Sequence, residues 1–308
     1  MNQIELYWKY ENKFPFEYSN ITTAPFNEFF APDNDLLNAT NMDSYRKLND
    51  ICLQNGIPNF LLPFIGSEYF NKDSSRILLI AESKYIDLKD KKDAEKSQDY
   101  EAGRIFFNWV LDYLINGVYC NPTKEIMDFV HKYRYSIFNQ EPIISYIKVR
   151  SAELGFEKMR YRDFPGWPFP YLIRAINEIY GYNCSKKMAQ LKALKGISFT
   201  NYYQIPFVVD GSVESNGFSE NKFSSLVLSK RTTYETYKKM CDLVLDNVID
   251  YLHPKLIIFA SEYGASSYKG KYSGIIRTIY HPASWRYHGY AKKKTQLESF
   301  IRDSKENR

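Results

Sequence analysis

Five polar side chains stand where short apolar runs stop in this sequence of 308 residues. Glu82 and Ser83 follow Ile77-Leu78-Leu79-Ile80-Ala81, and Asn201 closes Gly196-Ile197-Ser198-Phe199-Thr200. Ser261 follows the run from Lys255 to Ala260, and His281 follows the run from Gly274 to Tyr280. A carboxylate can hold water or balance a positive charge, an imidazole can donate to a leaving group, and an amide can read a hydrogen-bonding edge. Each also has an ordinary role: Glu82 capping the next segment, Asn201 closing a turn, His281 tied down in a His-Pro turn. The arrival of all of them at strand ends carries more weight than any single residue.

The apolar runs are too short for helices and rich in branched residues, the mark of strands buried on both faces in a parallel sheet. Helical spacing is expected over 43–54, 102–115, 124–133, 171–180, 186–194, 233–251 and from 292 onward, while the charged run Asp87–Glu95 and the polar stretch 211–221 read as loops. Strands alternating with helices predict right-handed crossovers and a three-layer α/β/α sandwich around a central four-stranded, mostly parallel sheet, with extra helical insertions. In such sheets ligands bind at the carboxyl ends of the central strands. A single domain over 1–308 is expected, with an N-terminal extension 1–70, broken by Pro15, Pro25, Pro32, Pro58 and Pro63, and a helical insertion at about 121–195.

A chain with 44% hydrophobic residues can bury a large core. The net charge of +5 permits a polyanionic partner without requiring one. Aromatic residues make up 17%, with 27 Tyr and 21 Phe, a composition that suits base stacking as well as cores. Cys52, Cys120, Cys184 and Cys241 lie far apart, so no C-x-x-C pair and no iron–sulfur spacing is present. The start carries no basic and apolar leader, and no run reaches membrane-spanning length. A soluble cytoplasmic protein with free thiols and no membrane partner is the expectation.

In order along the chain, Ala81-Glu82-Ser83-Lys84-Tyr85, Gly103-Arg104-Ile105-Phe106, Ser198-Phe199-Thr200-Asn201, Leu256–Gly264 and His281-Pro282-Ala283-Ser284-Trp285 resemble the motifs of the uracil-DNA glycosylase superfamily. These pieces cover about a third of the chain. The resemblance implies a pocket that takes a uracil or modified pyrimidine flipped out of DNA and hydrolyses its glycosidic bond to leave an abasic site. The departures from the family, the unmatched insertion above all, point to a non-standard base such as a modified cytosine in phage DNA. It implies His281 as donor to the departing base, Glu82 and Ser83 beside the water and the sugar, and Asn201 reading the base edge. It further implies Tyr85 against the 5-position and Phe106 as stacking face, where helical spacing gives Phe107 and Trp109 similar claims. Trp285 falls at the family's wedge, with Ser284, Arg286 and Lys292 on phosphates. Water is the nucleophile, so no metal and no other cofactor is implied, and the enzyme is expected to be monofunctional.

Ser83 departs from the family, whose well-known members place an aspartate, an asparagine or an alanine there. A serine cannot act as a carboxylate, so Glu82 takes the water-activating role, or catalysis is weak, or the substrate differs. A binding module that keeps the pocket without chemistry is the alternative. An unrelated α/β hydrolase or nucleotide-binding enzyme is the third reading, and it lacks a phosphate-cradling Gly loop and a G-x-S-x-G elbow.

Overall fold

A computed structural model describes residues 63–66, 68–83, 85–87, 93–116, 123–137, 170–181, 193, 195–209, 220–228, 232–274, 276–280 and 289–306. Its elements, in chain order, are β1 (Phe64–Ile65), β2 (Ile77–Ala81), β3 (Tyr85–Asp87), α1 (Asp93–Asn116), α2 (Lys124–Ile137), α3 (Pro170–Ile179), β4 (Ile197–Asn201), β5 (Phe207–Val209), α4 (Glu220–Leu226), α5 (Tyr234–Leu252), β6 (Leu256–Phe259), α6 (Glu262–Ser267), β7 (Ile276–Thr278) and α7 (Tyr290–Glu306). The fold is mixed α/β. Its main sheet has five strands in the order β1-β4-β2-β6-β7, all parallel neighbours except β1, which runs antiparallel to β4.

The four apolar runs became the four parallel strands. Every residue of β2, β4 and β6 is buried, including Ser198, Thr200 and Asn201 of β4, while the edge strand β7 is half-buried. Alternate residues Leu78, Ile80, Ile257 and Phe259 enter one core with Phe107 and Val110 of α1 and Tyr237, Cys241 and Val244 of α5. Helix α7 packs on β6 and on α3. Full burial of one such aliphatic side chain stabilises by about 1.5–3 kcal/mol, and Ile258→Ala would cost about 2–5 kcal/mol through the cavity it leaves.

Several expectations need correction. The sheet has five strands rather than four, because Phe64 and Ile65 pair with Phe199 and Ser198 on its edge. A second, two-stranded parallel sheet joins β3 to β5. The charged run is not all loop: Asp93 to Glu95 open α1. Glu220 and Asn221, expected in a polar loop, begin α4. Residues 43–54 and nearly all of 186–194 lie outside the described residues. Among the described residues no helix is long and apolar enough to cross a membrane.

The amino ends of β2 and β6 are tied to α5. Helix α5 starts on Thr233, whose side chain caps the Thr236 amide, and stops at His253 in the left-handed conformation, φ 42°. Arg76, also left-handed at φ 45°, donates to the Leu252 and His253 carbonyls at 3.2 and 2.5 Å, while the Lys255 amide donates to the Arg76 carbonyl at 2.9 Å. These bonds recover what a non-glycine left-handed residue costs, about 1–2 kcal/mol. This end of the sheet is used for stability.

Candidate functional site

At the carboxyl end the strand order has a switch point. From β2 the chain passes to β4 on one side, and β6 then lies on the other side of β2, so connections diverge above the β2–β6 pair. Such a divergence is where open α/β sheets bind ligands. Past the ends of β2 and β4 the two segments stay bonded through Glu82 and Tyr203 and pair again further on as β3 and β5.

Glu82 is half-buried at the head of the first segment. Ser261, at the end of β6, donates its hydroxyl to Glu82 Oε2 at 2.6 Å. The same oxygen of Ser261 accepts the Gly264 amide at 3.2 Å and so caps α6. With its acceptor side used by the cap, the hydroxyl proton points to the carboxylate, a charge-assisted bond. Lys222 on α4 is near enough for Glu82 to act on its charge. Burial lowers the ammonium's pKa, and the negative carboxylate partly offsets this.

Asn201 ends β4 in register with Ala81 and is only 2% exposed. The Tyr202 and Tyr203 amides donate to the Ala81 and Glu82 carbonyls, both at 2.8 Å, and so extend the β2–β4 contact past the strands. Gln204, buried, gives its Nε2 to the Asn201 and Tyr202 carbonyls at 2.5 and 3.2 Å. Its Oε1, like the Ser83 hydroxyl, is buried and has no hydrogen-bond partner. A buried polar atom left so costs about 1–3 kcal/mol.

A chain of hydroxyls leads outward from this end of the sheet. Tyr203 meets Tyr234 at 2.8 Å and Ser267 at 3.2 Å, and Tyr234 meets the exposed Tyr263 at 3.3 Å. Burial pushes the Tyr203 and Tyr234 phenols well above their ordinary range, so they stay protonated. No signal in the sequence singled out Tyr202, Tyr203, Gln204 or Lys222. Ser261 alone was visible, as a strand end.

The structure therefore places Glu82, Ser83 and Asn201 at the same end of the sheet, Asn201 opposite Ala81 and Glu82 one residue beyond it. Phe106 goes elsewhere: it is 1% exposed and packs on Trp109 and Phe129, with ring centroids 6.4 and 5.7 Å away. An enclosed ring presents no face to a base, so the stacking role read from the sequence is not available to it here. Phe107 is equally enclosed by Phe207, Phe223 and Tyr237. Gly103 of the same motif has a packing role, since a Cβ there would lie 2.2 Å from Val208 Cγ2. Tyr85 opens β3 opposite Phe207. Lys292 is exposed on the first turn of α7. His281, Ser284, Trp285 and Arg286 lie outside the described residues. Strand β7 runs parallel to β6 and the Ile279 amide donates to the Phe259 carbonyl at 2.9 Å, which brings the chain to this rim one residue before Tyr280. Among the described residues no three His, Cys, Asp or Glu side chains form a group able to hold a metal ion.

Fold and site together define an α/β protein with a mostly parallel sheet and a cluster of polar side chains at the carboxyl ends of its central strands. Compared with protein-family models, with curated proteins and with solved structures, the chain matches none.

Proposed function

We propose that the chain is a DNA glycosylase of the uracil-DNA glycosylase type, built as a three-layer sandwich, that hydrolyses the glycosidic bond of a flipped-out uracil or modified pyrimidine. One observation carries the reading. Glu82 follows Ala81, the register partner of Asn201, so carboxylate and amide come from the same end of two neighbouring parallel strands, and Ser261 fixes the carboxylate. An edge-reading amide and a held carboxylate at one rim are what cleavage through a positively charged sugar requires.

In this reading Glu82 balances the oxocarbenium-like sugar and holds the attacking water, with the Ser83 hydroxyl as a second contact for it. Asn201, 2% exposed, reads the base edge once the rim opens to admit the base. His281 donates to the departing base, whose negative charge a neutral imidazole stabilises. Trp285 enters the stack where the base has left, with Arg286, Ser284 and Lys292 on the strand's phosphates. DNA is the partner, and the setting is the cytoplasm.

The test uses duplexes containing uracil, modified cytosines or only ordinary bases, followed by alkali to break abasic sites. Scission on one substrate class, lost in His281→Ala, supports the enzyme. The Ser83 hydroxyl, where most well-known members carry an acid or amide, favours a second reading, a base-binding module without chemistry. Salt-dependent binding with no abasic sites on any duplex would select it.

A further inference from the structure

Two residues at the same rim are unused by the mechanism above. Tyr280 leaves β7 with 48% of its surface exposed, an unusual state for so large a ring. Lys293, on the first turns of α7, is only 6% exposed, and its ammonium nitrogen stands 3.7 Å from the centre of the Tyr280 ring. The helix that carries it is anchored by the buried Leu297 and Ile301 and by the Lys294–Glu178 ion pair at 2.9 Å. Lys293 makes no ion pair with any described residue. Most of its surface is covered, yet few atoms surround the ammonium nitrogen, whose contact is the face of the Tyr280 ring.

We propose that Tyr280 and Lys293 form a post for one nucleotide of a DNA strand passing this end of the sheet, the base stacking on the phenol ring and the adjoining phosphate held by the ammonium group. It rests on the glycosylase reading for the choice of DNA as the polyanion. The geometry favours a nucleotide over an acidic peptide because the two groups are an aromatic face and a cation in direct contact. A nucleotide offers a base and a phosphate at one spacing, and every base has a face to stack. Exposed Lys292 adds positive charge alongside. Glu262, at the start of α6, is the acidic group whose field reaches Lys293. Burial first, and then Lys292, lower the Lys293 ammonium's pKa, while Glu262 raises it. A phosphate would favour the charged form, so binding should take up protons at alkaline pH.

The experiment measures binding of the full-length protein to a short fluorescent single-stranded oligonucleotide across salt concentrations, with 2-aminopurine emission reporting stacking. Tyr280→Ala is expected to weaken binding about 5- to 100-fold and remove the 2-aminopurine quench. Tyr280→Phe should keep both. Lys293→Met is expected to weaken binding about tenfold and make the plot of log K against log salt shallower by about 0.7, and Lys293→Arg should restore the slope. The alanine variant alters an exposed side chain and Lys293→Met replaces a buried charge with an apolar isostere, so unchanged circular dichroism is expected of both. Wild-type affinity and salt slope in both Tyr280→Ala and Lys293→Met would overturn the post. Base excision plays no part in this assay. A protein that binds in this way but releases no base loses the glycosylase reading and keeps the post, and one that releases base with Tyr280 dispensable loses only the post.

Discussion

Ser261 and Glu82, 179 positions apart, share a 2.6 Å hydrogen bond that spans the two central strands where their connections diverge. One hydroxyl thus starts a helix and fixes a carboxylate. Ser261→Ala removes both functions and is expected to destabilise by about 1–3 kcal/mol, the worth of a cap plus a charged hydrogen bond. Ser261→Thr keeps both and should stay within about 0.5 kcal/mol of wild type. Urea unfolding of the two variants decides it. Equal losses would show that the hydroxyl carries neither role.

Gly103 and Val208 hold α1 against β5. A Cβ at position 103 would meet Val208 Cγ2 at 2.2 Å and Val208 Cβ at 2.9 Å, and a branched side chain cannot swing its Cβ away. Gly103→Ala is expected to cost about 1–3 kcal/mol by overpacking. Adding Val208→Ala should recover part of that loss, and a strictly additive double variant in thermal unfolding would refute the contact.

Asp242 on α5 accepts from the Tyr202 hydroxyl at 2.8 Å and the Lys269 amide at 3.1 Å. Burial raises its carboxyl above the ordinary value, outweighing these two bonds, and neighbouring Asp246 adds to the rise. A carboxyl raised in the folded state supports stability at low pH and withdraws that support as pH climbs through the folded value. Asp242→Asn keeps an acceptor oxygen and loses the charge. Its stability relative to wild type should therefore be lowest in acid and increase as pH rises above about 4. Urea midpoints measured from acid to neutral pH test this, and a variant that loses ground toward neutral pH would reverse the assignment.

Cys241 offers a simpler check. Fully buried in α5, its thiol is pushed up to about 12 by burial. A thiol so placed has almost no thiolate at neutral pH. The folded protein should leave Cys241 unlabelled by a maleimide for as long as it stays folded, with mass spectrometry locating the adduct only after denaturant is added. Labelling at the native rate of an exposed thiol would contradict the packing of α5 on the sheet.

The central strands β2 and β6 were legible because burial on both faces favours an unbroken apolar run such as Ile77–Ile80. The β1 edge of the sheet and the small second sheet were not legible. Phe64–Ile65, Tyr85–Asp87 and Phe207–Val209 are two or three residues long, too short to show a period, and they form only because a neighbour supplies the ladder. The start of α1 was hidden in a charged run whose residues carry no apolar stripe. Within the site, Glu82 and Asn201 could be read as strand ends, and parallel register puts them at one end of the sheet, Glu82 one residue beyond the partner of Asn201. Phe106 could not be assigned, since helical spacing alone does not say whether a ring faces a pocket or a neighbouring helix, and here it faces Phe129. Gln204 is placed by local bonds to the Asn201 and Tyr202 carbonyls, and Lys222 comes close to Glu82 from α4 through tertiary packing that leaves no trace in sequence.

The most direct measurement is the identity of what the protein releases from DNA. Mass spectrometry of the small-molecule fraction, after incubation with uracil-containing, modified-cytosine and ordinary duplexes, should show one free base from one substrate class. An equal number of abasic sites should appear in the strand. Glu82→Gln, which keeps the acceptor for Ser261 and removes the charge, should release that base about 100-fold more slowly or worse. No free base from any duplex, or undiminished release by Glu82→Gln, would contradict the account.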